Sequence, residues 1–273
     1  MSATVRLIAT DLDGTLLRSD RTVSQRTRDA VAAAQAAGNV LVVATARHPT
    51  TAAMYAAEAG ITGLAICANG ALIYDLARNE ITRRTDLGAE TARTVIEQLR
   101  GLLPDVTFAL IQGIDFVCEP AYATIADGRD HGRDLRLAIR PDVLAELGAP
   151  LTKLIVRHPE LTPPELYTRI AALELDGFEA SLSGAPFVDI VASGVSKAAA
   201  LAAICTDLGI DSSEVVAFGD APNDLPMLLW AGRPITVANA YSEVLAAVPE
   251  QTASNDDDGV ALAIERLLDS MRK

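Results

Sequence analysis

RLIATDLDGTLL, residues 6–17, runs from a short apolar stretch into two aspartates one residue apart, then Gly and Thr. Residues 5–10 are too short for a core helix and predict a buried strand. Asp11 and Asp13 then leave its carboxyl end, where open α/β sheets bind their ligands. Side chains at i and i+2 of an extended segment share a face, so both carboxylates can converge on one reacting centre. Gly14 permits a tight reversal directly after them. Asp-Gly also serves ordinary turns, so the catalytic reading of this pair draws on three further polar clusters downstream.

The flanking residues continue a strand–helix rhythm. A helix is predicted from the N-cap Ser24 to Ala37, with Ala30, Val31, Ala34 and Ala37 at helical spacing and Gly38 as its stop. NVLVVAT (39–45) predicts a second buried strand, TTAAMYAAEAG (50–60) a helix, and GLAICA (63–68) a third strand. Continuous rather than alternating apolar strands imply a parallel sheet covered on both faces. ALIYD (71–75) and ITRR (81–84) bracket a turn and suggest a hairpin. From there to about 187 the pattern is α+β, with strands at 106–111, 115–120, 151–156, 178–183 and 187–191 and helices at 89–100 and 163–174. After residue 195 the first rhythm resumes: the helix VSKAAALAAICTDLG, the strand EVVAFGD, the short helix PNDLPMLLWAG, the strand PITVANA and a closing helix over 258–271. The expected fold class is therefore α/β, a Rossmann-like parallel sheet with helices on both faces. Its two segments, 1–82 and 188–273, are interrupted by an inserted α+β module over 83–187.

The chain has 273 residues, of which 50% are hydrophobic and only 4% aromatic, so the core must be built from Ala, Val, Leu and Ile. A protein of this size buries roughly three-quarters of its unfolded surface and needs no covalent staples. Cys67, Cys118 and Cys205 are widely spaced with no C-x-x-C pair, which argues against a disulfide framework or a zinc site. The net charge of −13 repels nucleic acid and anionic membranes at long range. With no signal-like segment and no apolar run approaching a membrane span, a cytoplasmic protein is expected.

Three clusters join the aspartate pair. Thr45 ends the second strand ahead of Ala46 and Arg47, and a hydroxyl with the free N–H groups of a loop makes a phosphate cradle. Lys197 opens an Ala-rich helix where its charge opposes the dipole, which calls for a compensating anion. FGDAPNDLPML (218–228) sends Asp220 out of a buried strand, with Asn223 and Asp224 close behind. Three oxygen-bearing side chains in five residues suit a hard cation, although one of them could instead cap the following helix. Together Asp11, Asp13, Asp220 and Asp224 face Lys197 and Arg47. Unneutralised, four carboxylates in one crevice repel one another and any phosphate. Mg²⁺, which takes oxygen ligands from carboxylates, water and phosphate, resolves both problems.

At this point the sequence resembles the haloacid dehalogenase superfamily, and within it the Cof-type phosphatases with a C2B cap. DLDGTLL (11–17), VVATAR (42–47), GVSKAAAL (194–201) and GDAPNDLPML (219–228) match its four motifs in order. ICANGALIYD (66–75), VANA (237–240) and SNDDDGVALAIE (254–265) also fit the subgroup. Ala46 departs from the pattern, in which Gly follows the threonine. The resemblance implies a Mg²⁺-dependent phosphatase acting on a small phosphorylated metabolite, a sugar phosphate or a phosphorylated cofactor, through an aspartyl-phosphate. In it Asp11 is the nucleophile and Asp13 the general acid and base. Thr45, Lys197 and Asn223 hold the phosphoryl oxygens. Asp11, the backbone carbonyl of Asp13, and Asp220 bind the metal, with Asp224 as a further ligand or an orienting group. The inserted module closes over the site and selects the leaving group, with Arg133, Arg157 and His158 as its candidate contacts and His48 as one beside the second motif. Two alternatives stay open: a phosphomannomutase-like phosphosugar mutase and a non-catalytic phospholigand sensor. Asp13 speaks against the sensor, which has no need of an acid/base.

Overall fold

The computed structural model describes residues 5–132, 134–148 and 150–271. Along the chain come β1 (Leu7–Thr10), α1 (Gln25–Ala36), β2 (Val40–Ala44), α2 (Pro49–Ala59), β3 (Leu64–Cys67), β4 (Leu72–Asp75) and β5 (Glu80–Arg84). There follow α3 (Ala89–Leu102), β6 (Thr107–Gln112), β7 (Asp115–Cys118), the short α4 (Pro120–Ile125) and α5 (Gly128–His131). Next are β8 (Lys153–Arg157), α6 (Pro163–Ala171), β9 (Phe178–Ser181) and β10 (Val188–Ala192). Then come α7 (Lys197–Leu208), β11 (Val215–Gly219), α8 (Leu225–Trp230), β12 (Arg233–Thr236), α9 (Ser242–Ala247) and α10 (Gly259–Met271). These form two compact units. One runs up to Thr82 and resumes at Ser196; the other is Arg83–Val195.

The first unit is built on a sheet of order β12-β11-β1-β2-β3-β4-β5. β1 lies at its centre, parallel to β2 on one side and β11 on the other, so that Leu7 faces both Val40 and Val215. The chain leaves β1 toward β2 and β3, and after the insertion it enters on the opposite flank at β11. That reversal of direction opens a crevice at the carboxyl ends of β1, β2 and β11, the place where such sheets bind ligands. β1 and β11 are buried at every position, as unbroken apolar runs require when both faces are covered. α1 packs against α2 and α10, while α7 packs against α8. Ser24 Oγ accepts the Thr27 N–H to start α1, and Ser196 Oγ accepts the Ala199 N–H to start α7, as their N-cap chemistry predicts. The core between these layers is aliphatic, with Leu7, Val42, Val43, Ile66, Leu201 and Val216 at most 1% exposed. Each such Val, Leu or Ile contributes about 1.5–3 kcal/mol over its exposed state.

The second unit is a wholly antiparallel sheet of order β7-β6-β8-β10-β9. Alternation of period two divides its strands between two cores. Phe108, Leu110, Leu154, Val156, Val188 and Ile190 pack with Val95, Ile96 and Leu99 of α3 and with Leu166 and Ile170 of α6. The odd-numbered Ala109, Ile111 and Ile155 pack instead with Phe116, Cys118, Tyr122 and Phe187. On this second face Lys153 forms a buried pair with Asp189 at 2.8 Å.

The structure corrects the sequence reading at several boundaries, among them β9, which stops at Ser181 rather than 183, and α6, which stops at Ala171 rather than 174. The sequence pattern ends the insertion at 187, but β10 pairs with β8 and β9, which carries the unit to Val195. The apolar pattern predicts one strand over residues 115–120; it stops at Cys118, because Pro120 occupies the first turn of α4. The strand expected over 234–240 ends at Thr236. All three cysteines are free thiols, and all are buried. Among the described residues, no helix is long and apolar enough to cross a membrane.

Candidate active site

Three of the four polar clusters leave the carboxyl end of a strand in the first unit, and the fourth opens α7. Asp11 follows β1 directly, with its N–H donated to Phe218 O on the neighbouring strand. Residues Leu12–Leu16 then wind into a single helical turn around Gly14, which takes φ 73°. A Cβ at Gly14 would lie 2.5 Å from Asp220 Oδ2, so only glycine serves both the backbone angle and the close approach. Thr45 follows β2, Asp220 follows β11, and Lys197 is the first residue of α7.

These residues converge. Lys197, 1% exposed, donates from Nζ to Asp11 Oδ1 at 2.7 Å and to Asp224 Oδ1 at 2.6 Å. Asp224 Oδ2 accepts the N–H groups of Asp220 and Ala221, so both its oxygens are engaged. Thr15 Oγ1 donates to Asp220 Oδ1 at 2.6 Å. Asp13 sits in a two-pronged pair with Arg47, Nε to Oδ2 and Nη2 to Oδ1, each at 2.5 Å. The guanidinium is stacked 4.9 Å above the Tyr55 ring of α2. Thr45 Oγ1 accepts the Arg47 N–H, and Asn223 Nδ2 donates to Asn69 Oδ1 at 3.0 Å.

Burial drives the electrostatics. Loss of water pushes the Asp11 carboxyl well above the usual carboxylate range, and Asp224, Asp220 and Asp13 add to the shift against Lys197. Asp220 is raised to about 7, first by burial and then by Asp224, with the Thr15 hydrogen bond and Lys197 opposing. Burial alone would lower the Lys197 ammonium, but Asp11 and Asp224 outweigh it and raise it above its ordinary value. Four carboxylates thus share two cations, and the crevice is short of positive charge. One oxygen each from the buried Asp11, Asp220 and Asp224 lies within 4.8 Å of the others. An all-oxygen donor set this close fits a hard divalent ion such as Mg²⁺. Because Asp224 already spends one oxygen on Lys197 and the other on two N–H groups, Asp11 and Asp220 are the carboxylates left to face a metal.

The remaining candidates have other partners. His48 caps α2, its Nδ1 accepting the Thr50 N–H. His158 Nδ1 accepts the N–H groups of Glu160 and Leu161, and its Nε2 bonds Pro104 O, which makes it a loop brace of the second unit. Arg157 ends β8 in that unit, and Arg133 lies outside the described residues. Sequence reasoning did not single out Thr15, Asn69, Asn239 or Asn255. Asn239 Nδ2 donates to Gly14 O, Asn255 donates its N–H to Asn239 Oδ1, and Asn255 Nδ2 donates to Leu17 O. The asparagines of VANA and SNDDDG therefore brace the loop that carries Asp13. Their recurrence in two short polar segments after β12 was the available signal.

An open, mostly parallel sheet with an inserted antiparallel unit, and buried carboxylates around an ammonium at its switch point, define a Rossmann-like enzyme. The family model for haloacid dehalogenase-like hydrolases matches residues 8–264, and the chain belongs to that family, in its Cof-type branch. YxeH of Bacillus subtilis is 30% identical across 96% of this chain and 98% of its own length. The pyridoxal phosphate phosphatase YbhA of Escherichia coli is 28% identical across 94% of this chain and 97% of its own. YitU of Bacillus subtilis, a 5-amino-6-(5-phospho-D-ribitylamino)uracil phosphatase, is 26% identical across 93% and 94%. A haloacid dehalogenase-like hydrolase from Bacteroides thetaiotaomicron superposes with a TM-score of 0.80 at 27% identity, covering 97% of this chain and all of that one.

Proposed function

We propose that the protein is a Mg²⁺-dependent phosphatase that hydrolyses small organic phosphomonoesters, sugar phosphates or phosphorylated cofactors, through an aspartyl-phosphate. The observation that carries this reading is that three separate stretches of chain bring Asp11, Lys197 and the Asp220–Asp224 pair together, with Lys197 bonded to Asp11 and Asp224 and Asp220 beside them. The named activities of the relatives YbhA and YitU, both on small phosphorylated substrates, support the substrate class.

Lys197 holds Oδ1 of Asp11 and leaves Oδ2 as the attacking atom. The carboxylate adds to phosphorus, the bond to the leaving oxygen breaks, and Asp13 gives that oxygen its proton. Asp13 then takes a proton from water, the water oxygen attacks phosphorus, and the bond to Asp11 breaks to release phosphate. Thr45, Lys197 and Asn223 hold the equatorial oxygens, over which charge spreads in a loose transition state. Asp11, Asp220 and the backbone carbonyl of Asp13 would hold Mg²⁺, and Asp224 orients Lys197 and the loop after β11. When bound, the ion supplies positive charge that offsets the repulsion between the carboxylates and the phosphoryl group. The inserted unit, Arg83–Val195, selects the leaving group. Three free, buried cysteines are in keeping with a reducing compartment, and we take the chain as cytoplasmic.

Release of phosphate from p-nitrophenyl phosphate with Mg²⁺ tests the proposal, together with the Asp11→Asn variant and a chelator control. Turnover that vanishes in Asp11→Asn and with chelator supports it. Undiminished hydrolysis by Asp11→Asn overturns the covalent mechanism, and phosphate binding with no hydrolysis of any ester makes the protein a sensor.

A further inference from the structure

The connection between β3 and β4 has an unusual backbone: Ala68, Asn69 and Gly70 take φ 49°, 59° and 104°, all in the left-handed region. Two of the three are not glycine. Such conformations persist only where the surroundings over-determine them, and they gather at functional sites. Here the surroundings are the segments that bear Thr45, Asn223 and Lys197. The Ala68 N–H donates to Arg47 O at 2.9 Å, and the Asn69 N–H donates to Thr45 O at 3.1 Å. The Asn69 side chain accepts from Asn223 Nδ2 at 3.0 Å across 154 residues of sequence. A Cβ on Gly70 would stand 2.2 Å from Ser196 O, so the loop lies directly on the residue before Lys197. One three-residue connection thus touches all three segments that bear Thr45, Asn223 and Lys197.

We propose that Asn69 is a positioning residue that sets the amide of Asn223 for binding a phosphoryl oxygen. An amide presents donors on one side and an acceptor on the other, and only the donor side attracts an anionic oxygen. By accepting one N–H of Asn223, Asn69 Oδ1 fixes the plane of that amide and keeps its nitrogen, not its oxygen, toward the loop. The second N–H remains as the donor for substrate. Turned over, Asn223 would offer a carbonyl oxygen to phosphate and repel it. The left-handed backbone of Asn69 is what lets one residue bond Thr45 through its main chain and Asn223 through its side chain.

This inference rests on the phosphatase reading for its substrate and on the loop geometry for its mechanism. Its test is a double-mutant cycle of Asn69→Gly and Asn223→Ala. Glycine keeps the left-handed angle and takes away the side chain that carries the acceptor. The readouts are kcat and KM for p-nitrophenyl phosphate with Mg²⁺, and the dissociation constant of inorganic phosphate by calorimetry. Asn69→Gly is expected to raise both KM and the phosphate constant about 5- to 30-fold, the effect of one lost charge-assisted contact, with kcat changed less than about threefold. In the Asn223→Ala background the same substitution should add less than about twofold. Equal effects in both backgrounds, or unchanged phosphate binding in Asn69→Gly, overturn the proposal. If Asn69→Gly loses cooperative thermal unfolding, Asn69→Ser takes its place in the cycle. A wild-type protein that binds phosphate but hydrolyses no ester fails the phosphatase reading alone, since the calorimetric cycle still decides the role of Asn69.

Discussion

Asp13 and Arg47 show how much one side-chain pair governs the site. The aspartate is 40% exposed while its arginine partner is only 9% exposed, pinned against Tyr55 and fixed in place before any substrate arrives. Asp13→Asn is expected to lower turnover by roughly two to four decades while phosphate still binds, the usual loss when a general acid and base is removed. Steady-state rates beside calorimetric phosphate binding check it; a near-wild-type rate removes Asp13 from the mechanism. Protons provide a second handle. In the metal-free protein Asp220 is raised to about 7, so the folded state holds a proton that the unfolded chain has lost above about pH 4. Stability therefore falls as pH rises from about 4 to about 7, and Asp11 contributes in the same sense. Thermal melts should show a shallower decline across that window in Asp220→Asn. Added Mg²⁺ needs deprotonated ligands, so its gain in Tm should be larger near pH 7.5 than near pH 5. At this scale the sequence disclosed the acidic residues, because their positions after apolar runs are local. Arg47 was placed among the carboxylates but not against Asp13 in particular, and the Asn69–Asn223 pair was hidden, because a contact across 154 residues leaves no trace in spacing.

Among elements, the turn after β1 bears the tightest demands. Gly14 has a left-handed φ and stands against Asp220, so Gly14→Ala brings backbone strain and a clash together. We expect it to cost about 1–3 kcal/mol and to displace Asp220, with a lower Tm and weaker Mg²⁺ binding in titration. Unchanged metal affinity would show that Asp220 keeps its position without the glycine. Strands and their ends were readable because β1, β2 and β11 are apolar runs that stop at a polar residue. The start of α1 was readable where Ser24 caps it. The beginning of α4 was not, because DFVCEP continues an apolar pattern until Pro120 ends it. The end of the insertion was missed for a related reason. β10 alternates Val188, Asp189 and Ile190 between two faces, and only pairing with β8 and β9 reveals its sheet.

For the molecule as a whole, each unit has its own core. Residues Arg83–Val195 contain two apolar clusters and a five-stranded antiparallel sheet, which is what an independently folding segment needs. Expressed alone, this segment should melt cooperatively and show dispersed amide resonances; a collapsed, non-cooperative state would show that it depends on the rest of the chain. Within it, Lys153→Met is expected to cost about 3–5 kcal/mol, because the buried Asp189 carboxylate loses its ammonium partner. Denaturant melts of the single variant and of Lys153→Met with Asp189→Leu measure this, and the double variant should recover most of the loss.

The sealed thiols carry a consequence for handling the protein. Burial pushes Cys118 and Cys205 up to about 11, and Cys67 further still, so none presents a reactive thiolate at neutral pH. Alkylating reagents and mild oxidants will therefore modify the chain only during excursions out of its native state. Cys67 and Cys205 belong to one unit and Cys118 to the other. Iodoacetamide uptake followed by peptide mass spectrometry thus becomes a two-channel clock that times the opening of each half separately.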